Sequence, residues 1–163
     1  MDVRQAITTA FGQADTIALA YLDDLKPEEL LFRPTPKANH IAWQVGHLIA
    51  SERYLIDKAV PGRMDALPED FVANHKKDKA TSDDKSLFVT KEEYIRLAKQ
   101  VRANSLRVLS FVSTGDLDRP ITQGVPPFLK TVGEVFLFIP THWLMHAGQW
   151  AVIRRELGRP PLF

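Results

Sequence analysis

The chain has 163 residues, 45% of them hydrophobic and 25% charged, so it can form one domain around one core. Its 21 basic and 20 acidic side chains leave a net charge of +1, which argues against a dedicated nucleic-acid binder. With no cysteine it can have no disulfide, thiolate ligand or cysteine nucleophile, so any metal must be held by His, Asp, Glu or backbone.

No apolar run reaches transmembrane length, and Met1 to Arg4 do not open a signal peptide, so a cytoplasmic protein off the membrane is expected. The first helix is predicted over residues 2 to about 25. Val3, Ala6, Ile7, Ala10, Phe11, Ala14, Ile17, Ala18 and Tyr21 recur at spacings of three and four, and Asp2 suits the N-cap. A connector follows, in which Pro27 can begin a short helical turn and Pro34 and Pro36 prevent a long one.

The second helix is expected from about Asn39, its N-cap, to Ala59. Its apolar stripe is Ile41, Val45, Leu48, Ile49, Leu55 and Ile56, and His47 lies on an adjoining face. Residues 60 to 89 read as an irregular crossover or a lid, with a strongly polar stretch from His75 to Lys85. A third helix starts at Thr90, with Glu93 completing a capping box, and runs to about Ser113. A Gly- and Pro-rich connector covers residues 114 to 130. The fourth helix opens with the same box at Thr131 and Glu134, passes through Pro140 and stops at Gly158. Four amphipathic helices and no strand pattern predict an all-α fold, a four-helix bundle with long connectors occupying residues 1–163 as one domain.

His142 and His146 carry the most chemistry. Four residues apart on a helix, they stand on one face one turn apart and can bind one ion. They lie among Trp143, Leu144, Met145 and Trp150, where unpaired imidazoles would be costly. His47, the histidine in the middle of another helix, is the candidate third ligand. Three neutral imidazoles leave coordination positions open and suit zinc, nickel or ferrous iron. The other reading is a bundle whose three inward histidines are occupied by hydrogen bonds. His40 and His75 read as capping or solvated residues. Gln149 falls on the face of His142 and His146, either orienting a histidine or contacting a ligand, or stabilising the helix as a plain amide.

The stretch Ile41 to Glu52, the box at Thr131 to Glu134, the segment His142 to Gln149 and the close Arg154 to Pro160 together resemble the DinB-like superfamily. That group also takes in the bacillithiol transferases and the metal-dependent domain of mycothiol-dependent maleylpyruvate isomerase. The segment Leu30 to Pro36 looks like the family's lead into its second helix. The resemblance implies a DinB/YfiT-like bundle holding a divalent metal with His47, His142 and His146. It also implies activation of a low-molecular-weight thiol or a water, hence a thiol S-transferase-like or hydrolase-like enzyme acting on a small molecule. The alternative is a non-catalytic metal-containing bundle that binds a small ligand or a protein partner. A homodimer through an apolar helix face is a further expectation. Glu52 and Tyr54 are near His47 in sequence, but no residue stands out as general base.

Overall fold

The computed structural model describes all residues, Met1–Phe163. Four long helices form the bundle: α1 (Val3–Asp24), α2 (Ile41–Ala59), α4 (Lys91–Phe111) and α6 (Val132–Glu156). Two short helices lie in the connectors, α3 (Glu69–Asn74) and α5 (Thr114–Leu117). The expected caps form at three of the four N-termini. The side chains of Asp2, Thr90 and Thr131 accept from the backbone N–H of Gln5, Glu93 and Glu134. The fourth differs from expectation. His40, not Asn39, caps α2, its Nδ1 accepting from Trp43 N–H at 3.0 Å. α6 continues through Pro140, which is buried.

α1 packs against α4 and α6, and α2 packs against the same two helices. The helices therefore follow one another around the bundle in the order α1, α4, α2, α6. α1 and α2 are consecutive in sequence but diagonal in space, which explains why the proline-rich connector between them is long. α4 and α6 are the other diagonal pair. The core between the helices is apolar, with Phe11, Ile41, Leu48, Ile49, Ile56, Phe136, Ile139 and Trp150 fully enclosed.

A buried ion pair sits inside this core. Glu52 of α2 is buried and receives Trp143 Nε1–H from α6 at 2.8 Å and Ser105 Oγ–H from α4 at 2.7 Å. Arg102 of α4 completes the set at 3.0 Å. The Arg102 guanidinium lies 4.3 Å from the centre of the Phe11 ring of α1 and reaches Asp15 at 3.4 Å. Burial pushes the Glu52 carboxyl above its ordinary range, while Arg102, Ser105 and Trp143 pull it back. All four long helices thus meet at the Glu52–Arg102 pair.

The segment between α2 and α4 is more ordered than its sequence suggests. Besides α3 it forms 3-10 turns at Lys77–Lys79 and Lys85–Leu87. Arg33 clamps it from the first connector, donating to the carbonyls of Ala80 and Ser82 and pairing with Asp83. His40 Nε2 donates to the Ser82 carbonyl at 2.9 Å, since its Nδ1 is already the helix cap. No helix is long and apolar enough to cross a membrane.

Removing the Glu52 carboxylate leaves Arg102 enclosed without its main counter-charge. Glu52→Ala should cost about 3–5 kcal/mol of folding stability. Urea denaturation checks this, and an unchanged midpoint contradicts the role given to the network.

Candidate metal centre

The periodicity that buries α2 and α6 also brings their histidines together. α2 and α6 run antiparallel, since Gln44 meets His146 and Trp150 while Glu52 meets Trp143. That register sets His47 opposite the pair from α6, with ring centres 5.4 Å from His142 and 5.9 Å from His146. The His142 and His146 rings are 5.0 Å apart. One nitrogen from each of His47, His142 and His146 lies within 4.8 Å of the others. Nitrogens bonded tetrahedrally to one ion at about 2.0–2.1 Å stand about 3.4 Å apart, so the rings would draw closer to share an ion.

The tautomer of His146 follows from its neighbours. Trp150 Nε1–H can only donate, so the Gln44 atom facing it at 2.9 Å is the carbonyl oxygen. The same Oε1 lies 2.8 Å from His146 Nδ1. An oxygen that only accepts requires Nδ1 to carry the proton, which leaves the Nε2 lone pair free. The Gln44 amide is held from its other end, donating to the Asn39 carbonyl at 2.7 Å. Gln44 therefore orients His146, a task that was one of the readings open for Gln149. Gln149 is exposed and lines a cavity of about 350 Å³ with Asn39, Gln44 and Ile153. Nothing in the sequence singled out Gln44, whose histidine partner is 102 residues away.

Aromatic rings hold the other two histidines. Trp43 stacks on His47 at 4.9 Å with an 8° interplanar angle, and Phe138 stacks on His142 at 5.2 Å. Ser51 Oγ is 3.5 Å from His47 Nε2. Burial, reinforced by the neighbouring imidazoles, lowers His142 to about 3 and His146 to about 4. His47 is lowered by burial and then by the charge of Lys77, against a rise from the His75 backbone carbonyl. All three are thus neutral at pH 7, the state in which imidazole is a ligand.

His75 is placed differently from expectation. It is not solvated but buried, its Nδ1 2.7 Å from the Phe71 carbonyl and its Nε2 2.7 Å from Tyr94 Oη. The ring lies directly on Gly46, where a Cβ would overlap the imidazole. That close approach brings the segment after α3 against α2 beside His47. Glu52 belongs to the core network and is not available as a base, whereas Tyr54 is half exposed beside the site. Tyr54 lines a second cavity, of about 260 Å³, with His47, Ser51, His75, Lys76 and Lys77.

Comparisons with known proteins agree with this architecture. The sequence model of the DinB superfamily matches residues 10–150. A solved structure described as a conserved protein of locus from Enterococcus faecalis is 19% identical, with a TM-score of 0.63. The match covers 98% of this chain and 99% of that one. At that identity the likeness speaks for the fold. A search of the curated proteins finds no match.

The buried His75 links stability to pH. Its pKa falls from 6.5 to about 4 on folding, through burial that the Phe71 carbonyl partly offsets. The unfolded chain therefore binds the proton more readily. The contribution is complete above about 6.5 and is lost as the pH falls towards 4. Denaturation midpoints of the metal-free protein should decline from pH 7 to pH 5, and a flat profile contradicts a buried neutral His75.

Proposed function

The chain belongs to the DinB superfamily, and from that membership and the three-histidine cluster we propose a metal-dependent enzyme acting on a small molecule. His47, His142 and His146 would hold a divalent ion, zinc, nickel or ferrous iron. The observation that carries the reading is the Gln44 carbonyl, which accepts from His146 Nδ1–H and so leaves the His146 Nε2 lone pair free in a cluster with the other two histidines. Three neutral donors bring no carboxylate, which disfavours calcium and magnesium.

A bound ion with open positions lowers the pKa of a water or thiol and so supplies a hydroxide or thiolate at neutral pH. The chain's own residues do the rest. Trp43 and Phe138 fix two imidazole planes by stacking, and the Gln44 amide fixes the third. Ser51 and Tyr54 give polar groups on the open side of His47. The chain has no cysteine, so a thiol nucleophile would come from a separate low-molecular-weight molecule. A thiol S-transferase-like reaction is preferred to hydrolysis because Glu52, the nearest carboxylate of α2 in sequence, is held in the core away from base duty.

Metal content of untagged protein, measured after dialysis against zinc, nickel and ferrous iron, tests the site. His142→Ala should lose most of the metal and keep its helical circular dichroism. A wild type that stays metal-free in all three dialyses overturns the reading. Gln44→Ala frees the His146 ring and should weaken metal binding about 10–100-fold. Competition with a chromophoric chelator measures that, and equal affinities would remove Gln44 from the site.

A further inference from the structure

The cavity beside His47 has a charge pattern that the metal site does not explain. Its lining is His47, Ala50, Ser51, Tyr54, Val72, His75, Lys76 and Lys77, with two cations and no acidic residue. Both lysines are exposed, and neither forms a salt bridge in the structure. A chain of near-zero net charge has no general surplus of basic residues to place there.

The backbone that carries the lysines is fixed relative to the histidines. Trp43 Nε1–H donates to the Lys76 carbonyl at 3.0 Å while its indole stacks on His47. One residue earlier, His75 is locked between Gly46, the Phe71 carbonyl and the Tyr94 hydroxyl. The same indole thus sets the position of a candidate ligand and of the strand of chain bearing both cations. Flexible lysines on a pinned backbone suit an anion held at one end of a small molecule. The exposed Tyr54 ring, with Lys58 Nζ 5.4 Å from its centre, offers an apolar wall along the way.

We propose that this cavity binds the anionic end of the substrate, a carboxylate or a phosphate, on Lys76 and Lys77. The reactive end of the same molecule then lies at His47, on the open side of the histidine cluster. The proposal names the substrate class for the metal-dependent reading and rests on it for the second half only. Anion capture needs no metal.

Amide chemical shifts followed during titration separate the two. Metal-free and cobalt-loaded protein are each titrated with benzoate, phenyl phosphate and, as a neutral control, benzyl alcohol. At least one anion should shift Ser51, Tyr54, Lys76 and Lys77 saturably, and more weakly as salt is added. Whichever anion binds tighter identifies the carboxylate or the phosphate. Lys76→Ala/Lys77→Ala should lower that affinity about tenfold and leave benzyl alcohol unaffected. The Lys76 contact to Trp43 is made by the backbone, so the double variant keeps it, and an unchanged melting temperature confirms that. Anions that bind no better than benzyl alcohol, or equally well to the double variant, overturn the proposal. Failure of cobalt to bind bears on the metal reading alone and leaves the metal-free titration to decide on the anion.

Discussion

The bundle is organised around a carboxylate in its core. Glu52 draws donors from α4 and α6, and Arg102 reaches onward to α1. Purely apolar side chains would let neighbouring helices slide by a turn at small cost, whereas a buried charge with three directed donors accepts one register. The Arg102 Nε and Nη1 atoms are buried without a hydrogen-bond partner. The guanidinium is packed between the faces of Phe11 and Trp143, where ring faces partly replace those bonds. The arrangement is expensive, and what it secures is the alignment of α2 with α6. Trp143, which donates to Glu52, directly follows His142 in sequence. The register that satisfies the carboxylate is therefore the register that sets His47 opposite the α6 pair.

The histidine cluster is built asymmetrically around that alignment. On one side, Gln44 and Trp150 fill the space and direct His146, the Gln44 amide oxygen accepting from both rings while its nitrogen donates to the Asn39 carbonyl. On the other, His47 borders a cavity lined by hydroxyls and lysines. Three imidazoles kept neutral by burial are crowded close enough to interact, and the neighbouring rings lower the tendency of His142 and His146 to take a proton. Such a cluster costs stability in the free protein. A bound ion would recover that cost as binding free energy.

Much of the fold was legible because it rests on local rules. The three- and four-residue spacing marked all four long helices, and Asp2, Thr90 and Thr131 cap where a side-chain oxygen precedes an apolar run. His142 and His146 were legible for the same reason, as spacing on one helix fixes a shared face. His40 displaced Asn39 as the cap of α2 because an imidazole nitrogen can accept as well as an amide oxygen, a substitution that propensity does not favour. Gln44 and His75 were not legible. Their roles depend on Trp150 and on Tyr94, partners far off in the chain. The polar residues after His75 gave the impression of a solvated loop, although its ring is enclosed from the helix side.

The enclosed His75 ring shows what the segment between α2 and α4 does. A solvated crossover would be fastened only at its ends. This one is fastened by Arg33 and His40 near residues 80 to 83, by Trp43 at Lys76 and by Gly46 at His75. Each of the last two contacts exploits a special property of α2: the absence of a side chain at Gly46 and an indole N–H at Trp43. Both residues flank His47 within one turn. The face of α2 that offers a candidate ligand inward also fixes the chain segment lining the site's open side. Geometry and access are thereby coupled, since a change at Trp43 or Gly46 would move the lysines and the His47 ring together.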